Sequence, residues 1–388
     1  MTVEAITLGC RLNFAESETI ARLAQAGEDW IVVNSCAVTN EAVRQTRQAI
    51  RRSHRQRPSA KILVTGCAAE LDPDSFATMP EVSRVVGNTA KLNVLNPAGD
   101  MTSVASGLVS KVKSFVAVQN GCDHRCTFCS IWQARGPSRS LPFEAIRDAV
   151  SAEIDRGARE IVLTGVDITD YEGGLGTLCQ KLLAAEPRLT RLRLSSIDSI
   201  EIDEALFELI AGESRLMPHF HLSLQAGDDM ILKRMKRRHS RAEAVRAVAR
   251  IKNVRPDASI GADLIAGFPT ETEEMALNSL KLLEDCDIIA AHVFPFSPRP
   301  NTPAARMPQI STEVAKARAA RLRAAAAHRR ERWLTSLVGK VHPVLIEGPG
   351  KGHTDNFAPA AIAEAERGQA GTAMITGTDG GQLTAEWA

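Results

Sequence analysis

Between residues 114 and 295, short apolar runs alternate with amphipathic segments, and this alternation limits the fold more than any other feature. The strand candidates are 115–119, 160–164, 191–195, 219–224, 259–265 and 288–295. The helix candidates between them are 144–156, 177–185, 203–211, 242–252 and 271–286. Such a series builds parallel βαβ units, because parallel neighbours need a crossover between them. Six units fit a partial (β/α)6 barrel, and eight would be a tight fit in this length. A shorter series precedes it, with strands at 3–8, 30–34 and 61–65 and helices at 15–25 and 40–57, the second N-capped by Asn40. The expected class is therefore α/β. An N-terminal parallel α/β domain spans 1–100, and the partial barrel spans 114–310. A loose stretch at 96–110, with Pro97, Gly99 and Gly107, reads as a linker between them. A basic helical link follows at 311–339, and short β-prone runs at 340–388 predict a small antiparallel β-barrel.

Composition narrows the function. Of the 388 residues, 44% are hydrophobic and 24% charged, the balance of a globular rather than a disordered chain. The formal net charge of +1 means that any nucleic-acid surface must come from local patches. No apolar run approaches the ~20 residues of a membrane span. The first six residues carry no basic or apolar leader, so a cytoplasmic location is expected. Eight cysteines in such a chain point to metal or redox chemistry rather than disulfides.

Six of those cysteines form two trios. Cys122, Cys126 and Cys129 stand at C-x3-C-x2-C, just after the first barrel strand. Three thiolates on one loop hold three irons of a cubane cluster and leave the fourth open to a chelating molecule. Structural zinc wants four ligands, usually in paired knuckles, and no fourth cysteine stands nearby. His124 lies inside the first spacing, awkwardly placed to reach back. Cys10, Cys36 and Cys67 each follow a strand candidate and a small residue, Gly9, Ser35 or Gly66. Loops after parallel strands open on one edge, so these three should converge. The plainer alternative is three separate buried thiols. Cys179 and Cys286 have helical, apolar neighbours and read as structural.

With Phe128 ahead of Cys129, the tighter motif resembles the radical S-adenosylmethionine signature. With Cys10, Cys36, Cys67 and the C-terminal β domain added, the whole chain resembles the methylthiotransferases of that superfamily. Stretches 34–39, 134–140, 163–168, 193–197 and 292–297 are most similar to members acting on N6-threonylcarbamoyladenosine in tRNA. The resemblance implies two [4Fe-4S] clusters, one on each trio, and S-adenosylmethionine as cofactor. It implies hydrogen removal from C2 of the adenine, sulfur delivery from the Cys10/Cys36/Cys67 side, and methyl transfer. The implied partners are tRNA and an electron donor such as flavodoxin, with the chain a monomer and no membrane involved. Alternatives remain at this stage: isopentenyladenosine in tRNA, a ribosomal-protein aspartate, or a non-catalytic iron–sulfur or zinc protein that binds RNA.

The same resemblance assigns cofactor contacts. Phe128 would lie beside the adenine of the cofactor, and Gly165 and Asp167 would meet its amino group. Ser196, Gln225 and Arg237 would line the catalytic edge, with Arg237 on the carboxylate. Gly267, with Gly261 and Ile265, would form the fifth-strand element near the adenine. The chain departs from the family pattern at Ser130-Ile131-Trp132-Gln133, where an Ile-Pro-Tyr-like phrase is usual, and at Asn120, where an acid is usual. For RNA, Arg44, Arg47, Arg51 and Arg55 share one helix face, and no acid occurs from 42 to 69. A second basic block at 306–340 carries nine Lys/Arg against two Glu. Both stripes suit phosphate contact. The β domain resembles the TRAM module, with Phe357 and Trp387 as base-stacking candidates. His219 and His221 alternate along a strand and read as structural or pocket-lining.

Overall fold

The structure, a computed structural model, describes residues 3–23, 29–92 and 112–388. The stretch at 96–110 lies outside the described residues. The first sheet is parallel, in the order β1 (Glu4–Thr7), β2 (Trp30–Ser35), β3 (Lys61–Gly66), β4 (Arg84–Val85). Its helices are α1 (Arg11–Leu23), α2 (Asn40–Gln56), α3 (Cys67–Leu71) and α4 (Pro73–Ala77). Ile31, Val33, Ile62 and Val64 pack with Ile50 and Phe76 in one core, and Val32 and Leu63 meet Ile20 on the other face. Residues alternate across the sheet, so this burial on both faces explains the continuous apolar runs. The N-cap of α2 is Thr39, not Asn40: its hydroxyl accepts from Ala42 N at 3.1 Å. Asn40 instead reaches Arg299 in the central domain.

The central region is the expected partial barrel, split into two three-stranded parallel sheets. One holds β5 (Lys113–Ala117), β8 (Glu160–Thr164) and β9 (Leu192–Leu194), and the other β10 (His219–Gln225), β11 (Ser259–Ala266) and β12 (Ile288–Pro295). Bridges Ile197↔Leu222 and Leu192↔Leu216 join them, leaving β5 and β12 as outer edges. A short hairpin, β6 (Gln119–Asn120) with β7 (Arg139–Ser140), encloses the cysteine loop and α5 (Ile131–Arg135). Helices α6 (Phe143–Asp155), α7 (Leu175–Ala185), α8 (Glu204–Gly212), α9 (Asp229–Met235), α10 (Arg241–Val254) and α11 (Glu273–Asp285) follow the strands. Leu163, Leu194, Leu222 and Leu264 face the helices and form the main core with Ile146, Leu182 and Leu206.

Helix α12 (Thr312–Leu337) lies along this core through Ala319, Leu322 and Ala326. Part of its basic stripe is tied to the barrel, while Lys316 and Arg332 are exposed. Arg318 meets Glu271 at 2.9 Å, Arg321 meets Glu273 at 2.6 Å, and Arg329 meets Asp287 at 2.8 Å. The C-terminal domain is a closed barrel of β13 (Val341–Gly348), β14 (Lys351–Thr354), β15 (Pro359–Ala361), β17 (Gln382–Trp387) and β16 (Ala370–Asp379), in that order. The structure corrects the expectation for Phe357. Its ring stacks between His219, 4.9 Å away, and His353, 4.6 Å away, with Arg193 4.7 Å over it. Ser259 Oγ donates to Asn356 O at 2.6 Å. The turn therefore closes the N-terminal end of the central barrel, and Trp387 packs against its own domain's core.

Candidate active site

Cys36 and Cys67 directly follow β2 and β3, and Cys10 follows β1 after Leu8 and Gly9, all on the carboxyl edge of the first sheet. Gly9 holds φ +96°, and a Cβ there would meet Cys36 Sγ at 2.6 Å; Gly66 stands similarly at +92°. Only glycine combines that backbone with that close approach. Charge on Cys67 and on Cys10 bears on Cys36, so the three thiols share one neighbourhood.

The second trio sits on the loop between β6 and α5. Thr127 anchors the loop: its N–H donates to Met235 O at 3.0 Å and its hydroxyl to Arg234 O at 2.7 Å. Helix α5 then inserts Ala134 into the core of the N-terminal domain, with Ile131 packed against it. That insertion turns the loop toward the first sheet, and Cys67 comes near enough for its charge to oppose ionisation of Cys129.

Arg135 joins the two sites. Its side chain is 1% exposed. Nε donates to Cys67 Sγ at 3.2 Å, and the other nitrogens donate to Glu16 at 2.8 and 3.0 Å, Asn13 Oδ1 at 2.6 Å and Asn120 Oδ1 at 2.9 Å. Asn120 in turn accepts from Gly121 N at 2.9 Å. At the Asn120 departure the amide oxygen serves both the arginine and the start of the cysteine loop. Lys91, also buried, pairs with Glu16. Burial pushes the Glu16 carboxyl up, but Lys91 and Arg135 outweigh it and hold it down to about 2. Sequence reading missed this network because its members are polar residues spread from Asn13 to Arg135.

The remaining expected contacts divide. Asp167 accepts from Thr169 Oγ1 at 2.8 Å and faces His124 Nε2 at 3.1 Å. Glu201 and Asp167 raise the His124 pKa against the effect of burial, so its ring is committed to acids. Arg237 Nη2 donates to Asp198 Oδ2 and to Ser223 O, each at 2.7 Å, and Nη1 lies 3.8 Å from Cys126 Sγ. Gly165 packs on the Gln119 side chain, and Gln225 and Gly267 take left-handed turns where β10 and β11 end. Ser196 is exposed at the same edge, while Phe128 packs into an apolar cluster with Met235 and Phe268. Arg44, Arg47, Arg51 and Arg55 lie apart on α2. Arg44 pairs with Glu41, and Arg47 lies over the Phe76 ring; Arg51 and Arg55 are exposed.

The two cysteine trios fit cluster ligation better than a single ion, although Cys122, His124 and Asp167 bring three ligand atoms within 4.8 Å of one another. Among the described residues, neither cysteine trio has its three sulfurs within 4.8 Å of one another. A zinc ion with bonds of about 2.3 Å would need them closer. Four of the six sulfurs already accept N–H donors, from Asn13, Ile131, Arg135 and Arg237. Arg299 bears on Cys36, and the Nε atoms of Arg299 and Arg237 are buried without partners among the described residues. Buried cations with spare donors suit an anionic thiolate cluster. Burial pushes Cys36 and Cys129 up to about 11 and Cys122 up to about 12, so iron loading must expel protons.

Comparison with known proteins agrees with this geometry. Residues 116–283 match the radical SAM superfamily, and residues 2–87 match the uncharacterized protein family UPF0004. A solved radical S-adenosylmethionine methyltransferase, TsrM from Kitasatospora setae, shares the fold at a TM-score of 0.57 and 14% identity, covering 75% of this chain and 68% of that one. The tRNA-2-methylthio-N(6)-dimethylallyladenosine synthase of Erythrobacter litoralis is 32% identical, over 90% of this chain and 87% of its own. The threonylcarbamoyladenosine tRNA methylthiotransferase MtaB of Rickettsia prowazekii is 43% identical, over 92% of this chain and 91% of its own. On this identity along nearly the whole length, the chain belongs to the threonylcarbamoyladenosine tRNA methylthiotransferase family of the radical SAM superfamily.

Proposed function

We propose that the chain adds a methylthio group at C2 of N6-threonylcarbamoyladenosine beside the tRNA anticodon. The observation that carries this is the 43% identity along 92% of the chain to a relative named for that reaction. Arg135, which bonds Cys67 of one trio and Asn120 at the start of the other trio's loop, supplies the physical support. Cys122, Cys126 and Cys129 would hold one [4Fe-4S] cluster, and Cys10, Cys36 and Cys67 a second. When bound, these clusters with S-adenosylmethionine supply the radical, sulfur and methyl chemistry that an unactivated aromatic C–H demands and side chains lack.

The chain's own residues orient and shield. Arg135 ties Cys67 to the Asn120 end of the other loop, which fixes the two sites against each other. Arg237 and Asp198 form a buried pair beside Cys126, a polar wall for the amino-acid end of the cofactor. Burial, then Glu201, raises the Asp167 pKa while His124 opposes this, and the carboxyl stands beside the cysteine loop, where it would face the amino group of the cofactor. Arg51 and Arg55, exposed on α2, would meet tRNA phosphates.

The test is nucleoside mass spectrometry of tRNA from cells lacking this protein. Loss of 2-methylthio-N6-threonylcarbamoyladenosine, with its precursor accumulating, is the expected result. Loss of only the methylthio-dimethylallyl nucleoside would transfer the chain to the other substrate.

A further inference from the structure

The interior of the central barrel holds a polar group that the cysteine sites do not use. His221 on β10, Asp263 on β11 and His292 on β12 stand on adjoining strands, Asp263 in register with His292. Their neighbours Leu222, Ala262, Leu264 and Val293 are buried toward the helices. Alternation along a strand therefore turns these three inward. One oxygen, Asp263 Oδ1, meets His221 Nε2 at 3.1 Å and His292 Nδ1 at 3.2 Å. The group grades from buried to open: the side chains of His221, Asp263 and His292 are 9%, 25% and 61% exposed.

Across the open side of the barrel, Arg11 begins α1 and lies over the ring of Phe115 on β5, 5.9 Å from its centroid. Phe14 packs edge-on against the same ring, which fixes α1 at that edge. Arg11 lies within reach of the charges of Arg193, Glu160 and Asp263. Those acids are already taken. Glu160 pairs with Arg193, Arg191 and Lys113, and Asp263 with the two imidazoles. Among the described residues, the Arg11 guanidinium has no hydrogen-bond or ion-pair partner. The guanidinium is partly buried against the Phe115 ring and has no anion beside it among those residues, so it is available to one that enters this side of the barrel. The same excess of cations argues against a metal ion on the His–Asp–His group.

We infer that Arg11 and His292, the latter oriented by Asp263, form the pocket for the acidic N6 substituent of the substrate base. This rests on the proposed function. The guanidinium pairs with the carboxylate of the threonyl group. With Nδ1–H committed to Asp263, His292 presents Nε2 as an acceptor for the hydroxyl or an N–H of the same group. A dimethylallyl substituent offers neither anion nor donor and leaves Arg11 unpaired. A site built around such polar groups rejects the analogue that lacks them.

The test is equilibrium binding by the iron-loaded full chain, without reductant. Three anticodon stem-loops are compared, carrying threonylcarbamoyladenosine, dimethylallyladenosine or plain adenosine at one position. The wild type should prefer the threonylcarbamoyl loop over the adenosine loop by about tenfold or more, the worth of one charge-assisted bond. Arg11→Met and His292→Ala should each cut that preference severalfold and leave affinity for the adenosine loop unchanged. Because Arg11 adjoins Cys10, iron content is measured for each variant, and His292→Ala carries the test if Arg11→Met loads poorly. A wild-type preference that survives His292→Ala and iron-loaded Arg11→Met overturns the pocket alone. A wild type that binds all three loops alike overturns both the pocket and the substrate reading beneath it.

Discussion

Arg135 gathers partners that chain order keeps far apart, with 68 residues separating it from Cys67 and 119 from Glu16. Replacing it with Met would leave Glu16 buried with Lys91 alone and strand Asn13 Oδ1, while Asn120 Oδ1 would keep only Gly121 N. Breaking one side of a buried ion network costs about 3–5 kcal/mol, so Arg135→Met should lower the stability of the metal-free chain by that order in denaturant titration. Arg135→Lys keeps the charge but not the fork, and should recover part of the stability while iron loading stays below wild type. The grouping of the cysteines was legible because C-x3-C-x2-C sets three thiols on one loop, and because three strand–small–Cys contexts imply one sheet edge. Arg135, Glu16 and Asn13 were not, since an arginine or an asparagine reads locally as a solvated side chain. Only the insertion of α5 into the other domain's core brings them together.

Helix α2 shows how far an element can be read from its own residues. Its basic face and its span followed from the spacing of the arginines, but the cap fell on Thr39 rather than Asn40. Two adjacent residues with capping side chains cannot be ranked locally, and Asn40 is drawn off by Arg299. Thr39→Ala should cost about 1 kcal/mol in thermal or urea unfolding. Arg51, Arg52 and Arg55 are exposed, and among the described residues none has an ion-pair partner. Arg51→Glu/Arg55→Glu should weaken tRNA binding and flatten its salt dependence by roughly one log unit per lost phosphate contact. Unchanged affinity across a salt series would remove α2 from the RNA surface. The seven-residue α9 went unread, because it is short and is set by its Asp228 cap, whose side chain accepts from Met230 N and Ile231 N. The long basic α12 is a helix as read, yet Arg318, Arg321 and Arg329 answer acids on the barrel rather than solvent.

At the scale of the molecule, the three parts use opposite ends of the central barrel. The loop of Cys122, Cys126 and Cys129 lies past the carboxyl end of β5, while the C-terminal barrel seals the other end through Phe357 and through Lys113, which bridges Glu160 at 3.3 Å and Glu347 at 2.6 Å. An aromatic on a turn of an RNA-binding-like module reads as a stacking platform, and nothing in the local pattern announces that it is a plug. Burial pushes the Glu347 carboxyl up, but the bond to His353 and the charge of Lys113 prevail and hold it down to about 2. A carboxyl depressed on folding stabilises fully above its unfolded value near 4.5, and that contribution is lost as pH falls toward 2. Stability measured from pH 7 to pH 2 should therefore fall less steeply for Glu347→Gln than for the wild type. Above all, the account requires two separate thiolate-held cubanes in one chain. Iron analysis with anaerobic reconstitution measures this directly, scored beside cleavage of S-adenosylmethionine under reductant. The account predicts about eight irons in the wild type, about four in Cys36→Ala with cleavage retained, and no cleavage in Cys126→Ala. A wild type that saturates at about four irons, or a Cys36→Ala variant that keeps all eight, would contradict it.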